Sequence, residues 1–207
     1  MKKIVAEMKT FSGYAAKVVA GFLALSFALF LQGCDFAAAP KAVSAGTKPR
    51  TATIERSVEA VRSDSISRPQ GPSFALADFK GKVVVVDFWA TFCGPCRQQT
   101  PELVELSRRH RDKGLEVVGL TIDEKKDEGL VLDFMKSMGM NYTIGYADDR
   151  FSRAFLRGTE DETGAPPIPQ LFIFAKDGKL VEHLVGYRPD HGVEYLDRIV
   201  SEQLARS

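Results

Sequence analysis

Cys93-Gly94-Pro95-Cys96 places two thiols three residues apart. That is close enough to join as a disulfide within one turn. The pair lies between the apolar run Lys82–Ala90 and a segment of amphipathic helical spacing, so both sulfurs fall at the first turn of a helix. There Cys93 faces unpaired backbone N–H groups and the positive end of the helix dipole, which favour the nucleophilic thiolate. The expected cycle is attack by Cys93 on a disulfide, formation of a mixed disulfide, and attack by Cys96 that leaves Cys93–Cys96 oxidised. Cys96, one helical turn further in, suits the resolving role.

Other uses of this spacing fare worse. A structural zinc site needs a second ligand pair, but the one other cysteine is Cys34, and His110, His183 and His191 show no paired spacing. Covalent haem attachment requires His after the second cysteine, where Arg97 stands. A purely structural bridge across so short a loop restrains the unfolded chain little. A peroxidase of Thr-x-x-Cys type is disfavoured because Thr91 stands two residues before Cys93. A Cu(I)-binding assembly factor using the same two thiolates stays open as an alternative, although a third ligand is not apparent. Neither a metal nor a cofactor is expected.

The elements that must position the pair follow from periodicity. Val83-Val84-Val85-Val86-Asp87-Phe88-Trp89 reads as a central strand buried on both faces. Leu103, Val104 and Leu106 among charged residues predict a helix ending before Gly114. A strand over 115–122, a helix over 128–138, a strand near 142–146 and a helix near 150–156 follow. Then 170–176 and 179–185 flank Asp177-Gly178, which predicts a hairpin with a type I′ turn, and a last helix covers about 192–204. Strands alternating with helices, then a hairpin and a closing helix, specify an α/β fold with a mixed sheet covered on both faces.

At 207 residues, with 44% hydrophobic and 27% charged residues, the chain has room for one ordinary domain plus an extension. These values exclude a wholly disordered chain, a coiled coil and a polytopic membrane protein. A formal net charge of +1 gives no basic excess, so nucleic acid is not an expected partner.

The N-terminal segment reads as an address. Lys2, Lys3, Lys9 and Lys17 precede an apolar run over 18–31, as in a secretory signal, and too short to span a bilayer comfortably. Met8 is an alternative start. Leu31-Gln32-Gly33-Cys34 resembles the lipobox of bacterial lipoproteins, which implies a signal peptide over 1–33, lipid attachment at Cys34 and anchoring in a bilayer of the cell envelope. Asp35 resembles an inner-membrane retention signal. Without residues 1–33 the chain keeps 24 basic and 26 acidic residues, slightly acidic. Residues 34–72, rich in Ala, Ser, Thr and Pro, read as a tether, within which Ile54, Val58 and Val61 could form a short amphipathic turn against a domain over 73–207.

The segment from Val86 to Arg97 resembles the active-site segment of thioredoxins, with Phe92 where Trp is usual, and Ile168-Pro169 ahead of the 171–174 strand resembles their cis-proline loop. The resemblance covers about residues 73–205. Gly81-Lys82 and the extra helix–strand unit over 127–146 are similar to the TlpA/ResA-type membrane-tethered subfamily. This implies a thioredoxin-like three-layer α/β/α sandwich and disulfide reduction outside the cytoplasm, often in cytochrome c maturation. The implied partners are a disulfide-bearing protein substrate and a membrane electron donor of thiol-relay type, and the implied state is a monomer. By the same resemblance Asp87 is a buried carboxylate that takes the Cys96 proton, Ile168 offers its backbone to substrate beside cis-Pro169, Trp89 packs under the redox turn, and Pro101 kinks the helix. Two positions depart from the pattern. Gln99 stands where the subfamily commonly has Glu, and Gly119 where thioredoxins have a lysine near the buried aspartate. Gly94-Pro95 is the intervening pair of reducing thioredoxins, near −270 mV against about −120 mV for oxidising DsbA, so a reductase is expected ahead of an oxidase or isomerase.

Overall fold

The structure, a computed structural model, describes residues 47–206. Five strands form one mixed sheet in the order β3-β2-β1-β4-β5. They are β1 (Val83–Trp89), β2 (Leu115–Thr121), β3 (Thr143–Tyr146), β4 (Gln170–Phe174) and β5 (Leu180–Val185). β1 pairs in parallel with β2, and β2 with β3, whereas β4 runs antiparallel to both β1 and β5. Every residue of β1 is buried, as its uninterrupted apolar run requires.

The helices are α1 (Thr47–Glu59), α2 (Gly94–His110), α3 (Glu128–Ser137), α4 (Asp149–Leu156) and α5 (Val193–Ala205). Successive strand residues point to opposite faces, and the core divides accordingly. Val83 and Val85 face Leu103 and Leu106 of α2 and Leu196, Ile199 and Val200 of α5. Val84, Val86 and Phe88 face Ile54 and Val58 of α1 and Phe151 and Phe155 of α4. A third cluster joins Trp89, Cys93 and Cys96 to Val131 and Phe134 of α3. The expected α/β/α sandwich is present, with α3 of the extra helix–strand unit packed beside the redox turn.

Two details differ from what the sequence leads one to expect. The tether boundary at 72 lies too late, because Thr47–Glu59 is helical and Ile54, Val58 and Val61 are buried in the core. Ile54 and Val58 lie on the helix and Val61 in the turn after it, so the amphipathic turn expected from these residues docks on the domain. Ahead of β1 the described chain makes a single antiparallel bridge between Ile66 and Phe74, held by hydrogen bonds of 2.7 and 3.1 Å. The β4–β5 turn is not type I′, since that type needs positive φ at both central residues and only Gly178, at 84°, has it. The Gly178 N–H instead closes a turn on the Ala175 carbonyl at 2.8 Å, beside a register shift at Ile173/Phe174. Asp177 thus keeps negative φ and its carboxylate accepts from the Lys179 N–H at 3.1 Å.

Residues 1–46, including the signal segment and Cys34, lie outside the described residues. No helix among the described residues is long and apolar enough to cross a membrane.

Candidate active site

Cys93 is the N-cap of α2, and Pro95 fills the first helical positions, where its missing N–H costs nothing. Cys93 and Cys96 are joined as a disulfide, with their Cα atoms 5.3 Å apart. The Cys96 backbone N–H donates to Cys93 Sγ at 3.1 Å, so the cap position supplies both a hydrogen bond and the positive end of the helix to that sulfur. Cys93 is 6% exposed and Cys96 1%. The outer sulfur is the one an incoming disulfide can reach.

Across from the pair, the Ile168–Pro169 peptide is cis, and the Ile168 carbonyl oxygen lies 3.7 Å from Cys93 Sγ. The loop is fixed from behind by the wholly buried Gln170, whose amide donates to Pro167 O at 2.9 Å and to Thr159 Oγ1 at 2.8 Å. Beneath the turn, Trp89 is fully buried and stacks on Phe134 of α3 at 4.7 Å between ring centroids. Phe92, in contrast, is 75% exposed, and with Leu130 it borders a groove beside the redox turn.

Asp87 points to the α2 side of the sheet, on the same strand face as Val85 and Trp89. It is 2% exposed, and burial pushes its carboxyl up to about 7 against the opposing hydrogen bond from Gln99. Gln99 Nε2 donates to Asp87 Oδ1 at 2.8 Å. Gln99 sits three residues after Cys96, on the same face of α2, so the helix that carries the inner sulfur also carries the partner of the carboxylate. Gly119 stands opposite Asp87 in the β1–β2 register. A Cβ there would lie 2.7 Å from Ile144 Cδ1 and 3.0 Å from Trp89 Nε1, so a side chain at this position requires its neighbours to give way. Tyr142 occupies that neighbourhood, and its phenol is pushed well above its usual range, first by burial and then by the Asp87 charge.

Cys93, Cys96, Asp87, Trp89, Ile168 and Pro169, all singled out from the sequence, converge on the C-terminal end of β1 and the start of α2. Asp123, whose carboxylate clamps Thr91 in the redox turn, carries no local sequence signal, and Gln99 stands out in the sequence only as a departure from the family pattern. Pro101 lies inside α2 without ending it. Among the described residues no group of three or more His, Cys, Asp or Glu side chains is placed to hold a metal ion.

A mixed sheet of this order, with a redox-active Cys-x-x-Cys at a helix start facing a cis-proline loop, defines the thioredoxin-like class. The profile of the family described as Redoxin matches residues 57–199. The chain is 34% identical over 131 residues to thiol-disulfide oxidoreductase ResA of Bacillus thuringiensis (strain Al Hakam), an alignment covering 63% of this chain and 70% of that one. It is 31% identical over 116 residues to ResA of Bacillus subtilis (strain 168), covering 56% and 60%. A crystal structure of a thiol:disulfide interchange protein of the thioredoxin family from Chlorobium tepidum TLS superposes with a TM-score of 0.60 at 31% identity, over 70% of this chain and 95% of that chain. The chain belongs to the Redoxin family as a thioredoxin-like thiol-disulfide oxidoreductase of the TlpA/ResA type.

Proposed function

We propose that the chain is a disulfide reductase working outside the cytoplasm on protein disulfides, tethered to a membrane through a lipid on Cys34. The observation that carries the site assignment is the Cys96 N–H donating to Cys93 Sγ at the α2 N-cap, because it stabilises negative charge on Cys93 and not on Cys96. The Cys93 thiolate attacks one sulfur of the substrate disulfide, and the other substrate sulfur leaves as a thiolate. Cys96 then gives its proton to the Asp87 carboxylate and attacks Cys93 Sγ. The Cys93–substrate bond breaks, the Cys93–Cys96 bond forms, and the second substrate thiol is released. Two electrons pass from the dithiol to the substrate.

The Ile168 carbonyl, 3.7 Å from Cys93 Sγ, is placed to accept a backbone N–H from an extended substrate segment alongside Pro169. Trp89 supports the turn from below. Reduction in an oxidising compartment needs electrons returned to Cys93–Cys96 by a thiol-relay donor in the membrane. The signal segment, the lipobox-like Leu31-Gln32-Gly33-Cys34 and the similarity to ResA support this location, and assembly of c-type cytochromes is the setting we infer for the substrate.

The test is trapping. Cys96→Ala expressed in the native host accumulates mixed disulfides at Cys93, whose partners name the substrate, and the purified wild-type domain reduces insulin disulfides. Absence of both adducts and insulin reduction overturns the reading.

A further inference from the structure

We propose that Gln99 is a positioning residue for the proton transfer of the resolving step, holding Asp87 in place and favouring its proton-accepting form through the amide N–H that it donates to Oδ1. The proposal rests on the reductase reading above and adds to it the residue that sets the pH range of the Cys96 step. Both side chains are buried, 2% exposed for Asp87 and 7% for Gln99, and they meet at 2.8 Å across the sheet–helix interface. An ionised carboxylate has no proton to give, so the amide must present its N–H₂ group. A donor to the charged form favours that form and offsets the burial that disfavours it. Having no titrating group, Gln99 leaves the proton-accepting task to Asp87 alone.

The surroundings leave this task to few groups. Cys96 and Gln99 stand on one face of α2, and the Thr100 hydroxyl donates back to the Cys96 carbonyl at 2.8 Å, which fixes the turn between them. From β2 the facing position is Gly119, without a side chain. From the segment ahead of β3 the titratable neighbour is Tyr142, held in its neutral form by burial and by Asp87 itself. From β4 the register partner is the apolar Leu171. Beyond these the titratable groups of the site are Cys93 and Cys96. Among the described residues the side-chain donor to the Asp87 carboxylate is Gln99, and a carboxyl in place of the amide would put two acids on one proton.

The experiment is stopped-flow reaction of the reduced protein with dithiobis(nitrobenzoate) across pH 5 to 9. Attack by Cys93 releases one nitrothiobenzoate and leaves a Cys93 mixed disulfide, and attack by Cys96 releases the second as Cys93–Cys96 forms. The second phase reads the resolving step by itself. In Gln99→Met, which keeps length but loses the donor, its acid limb moves up by about one pH unit, while the first phase keeps the wild-type profile. Gln99→Glu, nearly identical in shape, moves the limb upward as well. Second-phase profiles that coincide with wild type in both variants overturn the proposal, and if Gln99→Met does not fold, the Gln99→Glu profile decides alone. A merely structural role lowers the melting temperature or slows both phases without moving the acid limb. The reductase reading fails separately, if the wild-type protein gives no second phase or if Cys96→Ala still shows it.

Discussion

The Asp123 carboxylate accepts from both the backbone N–H and the hydroxyl of Thr91, at 2.9 and 2.7 Å, so the exit of β2 clamps the redox turn that follows β1. The Thr121 hydroxyl donates to the same carboxylate, and Arg97 Nη2 donates to the Thr91 carbonyl at 2.9 Å. Thr91 is thus held on three sides, two residues before the nucleophile. Asp123→Ala is expected to cost about 1–2 kcal/mol, since the carboxylate is partly exposed, and to lower insulin reduction several-fold. Thermal melts and initial rates check this; an unchanged rate would detach the clamp from the chemistry.

Asp87 makes stability depend on pH. Its carboxyl is raised from 3.8 to about 7 in the folded chain, so between pH 4 and 7 the folded state keeps a proton that the unfolded state has lost. Stability from this group is therefore full at low pH, declines as pH rises through that window, and stays reduced above 7. Asp87→Asn removes the titration. In the oxidised protein it is expected to stabilise at pH 8 by an amount on the order of 4 kcal/mol at most, with the gain vanishing near pH 4. Denaturation at both pH values checks the sign, and the same variant slows release of substrate from Cys93.

Gly119 is predicted to resist a side chain. A methyl group there would press on Ile144 Cδ1 at 2.7 Å and on the Trp89 ring at 3.0 Å, directly under the redox turn. Gly119→Ala is expected to cost about 1–3 kcal/mol. A melting temperature equal to wild type would show that Trp89 yields freely.

The α1 helix belongs to the folded unit, with Ile54 5% and Val58 2% exposed against the α4 side of the sheet. Ile54→Ala should destabilise by about 2–4 kcal/mol, measured by denaturant unfolding of the chain from Thr47 onward. A cost near zero would return this segment to the role of a tether.

These residues also show what sequence can convey. The β1 strand was legible because a strand buried on both faces needs an unbroken apolar run, and the redox pair because its spacing and its place at a helix start carry chemistry of their own. The β4–β5 hairpin was legible as two strands, but its turn type was not, because Asp177-Gly178 suits both a type I′ turn and a turn followed by a left-handed glycine. The Asp87–Gln99 contact was hidden, since it depends on how α2 lies on the sheet and not on any local pattern. The role of α1 was legible in part: Ile54, Val58 and Val61 stood out as an amphipathic turn, but the polar composition around them pointed to a linker.

The direction of electron flow is the central claim, and the standard potential of the Cys93–Cys96 pair tests it most directly. Equilibration against dithiothreitol and glutathione buffers, followed by thiol quantification, is predicted to give a value below about −200 mV, in the range of reducing thioredoxins. A value above about −150 mV would contradict the account and identify an oxidant or isomerase.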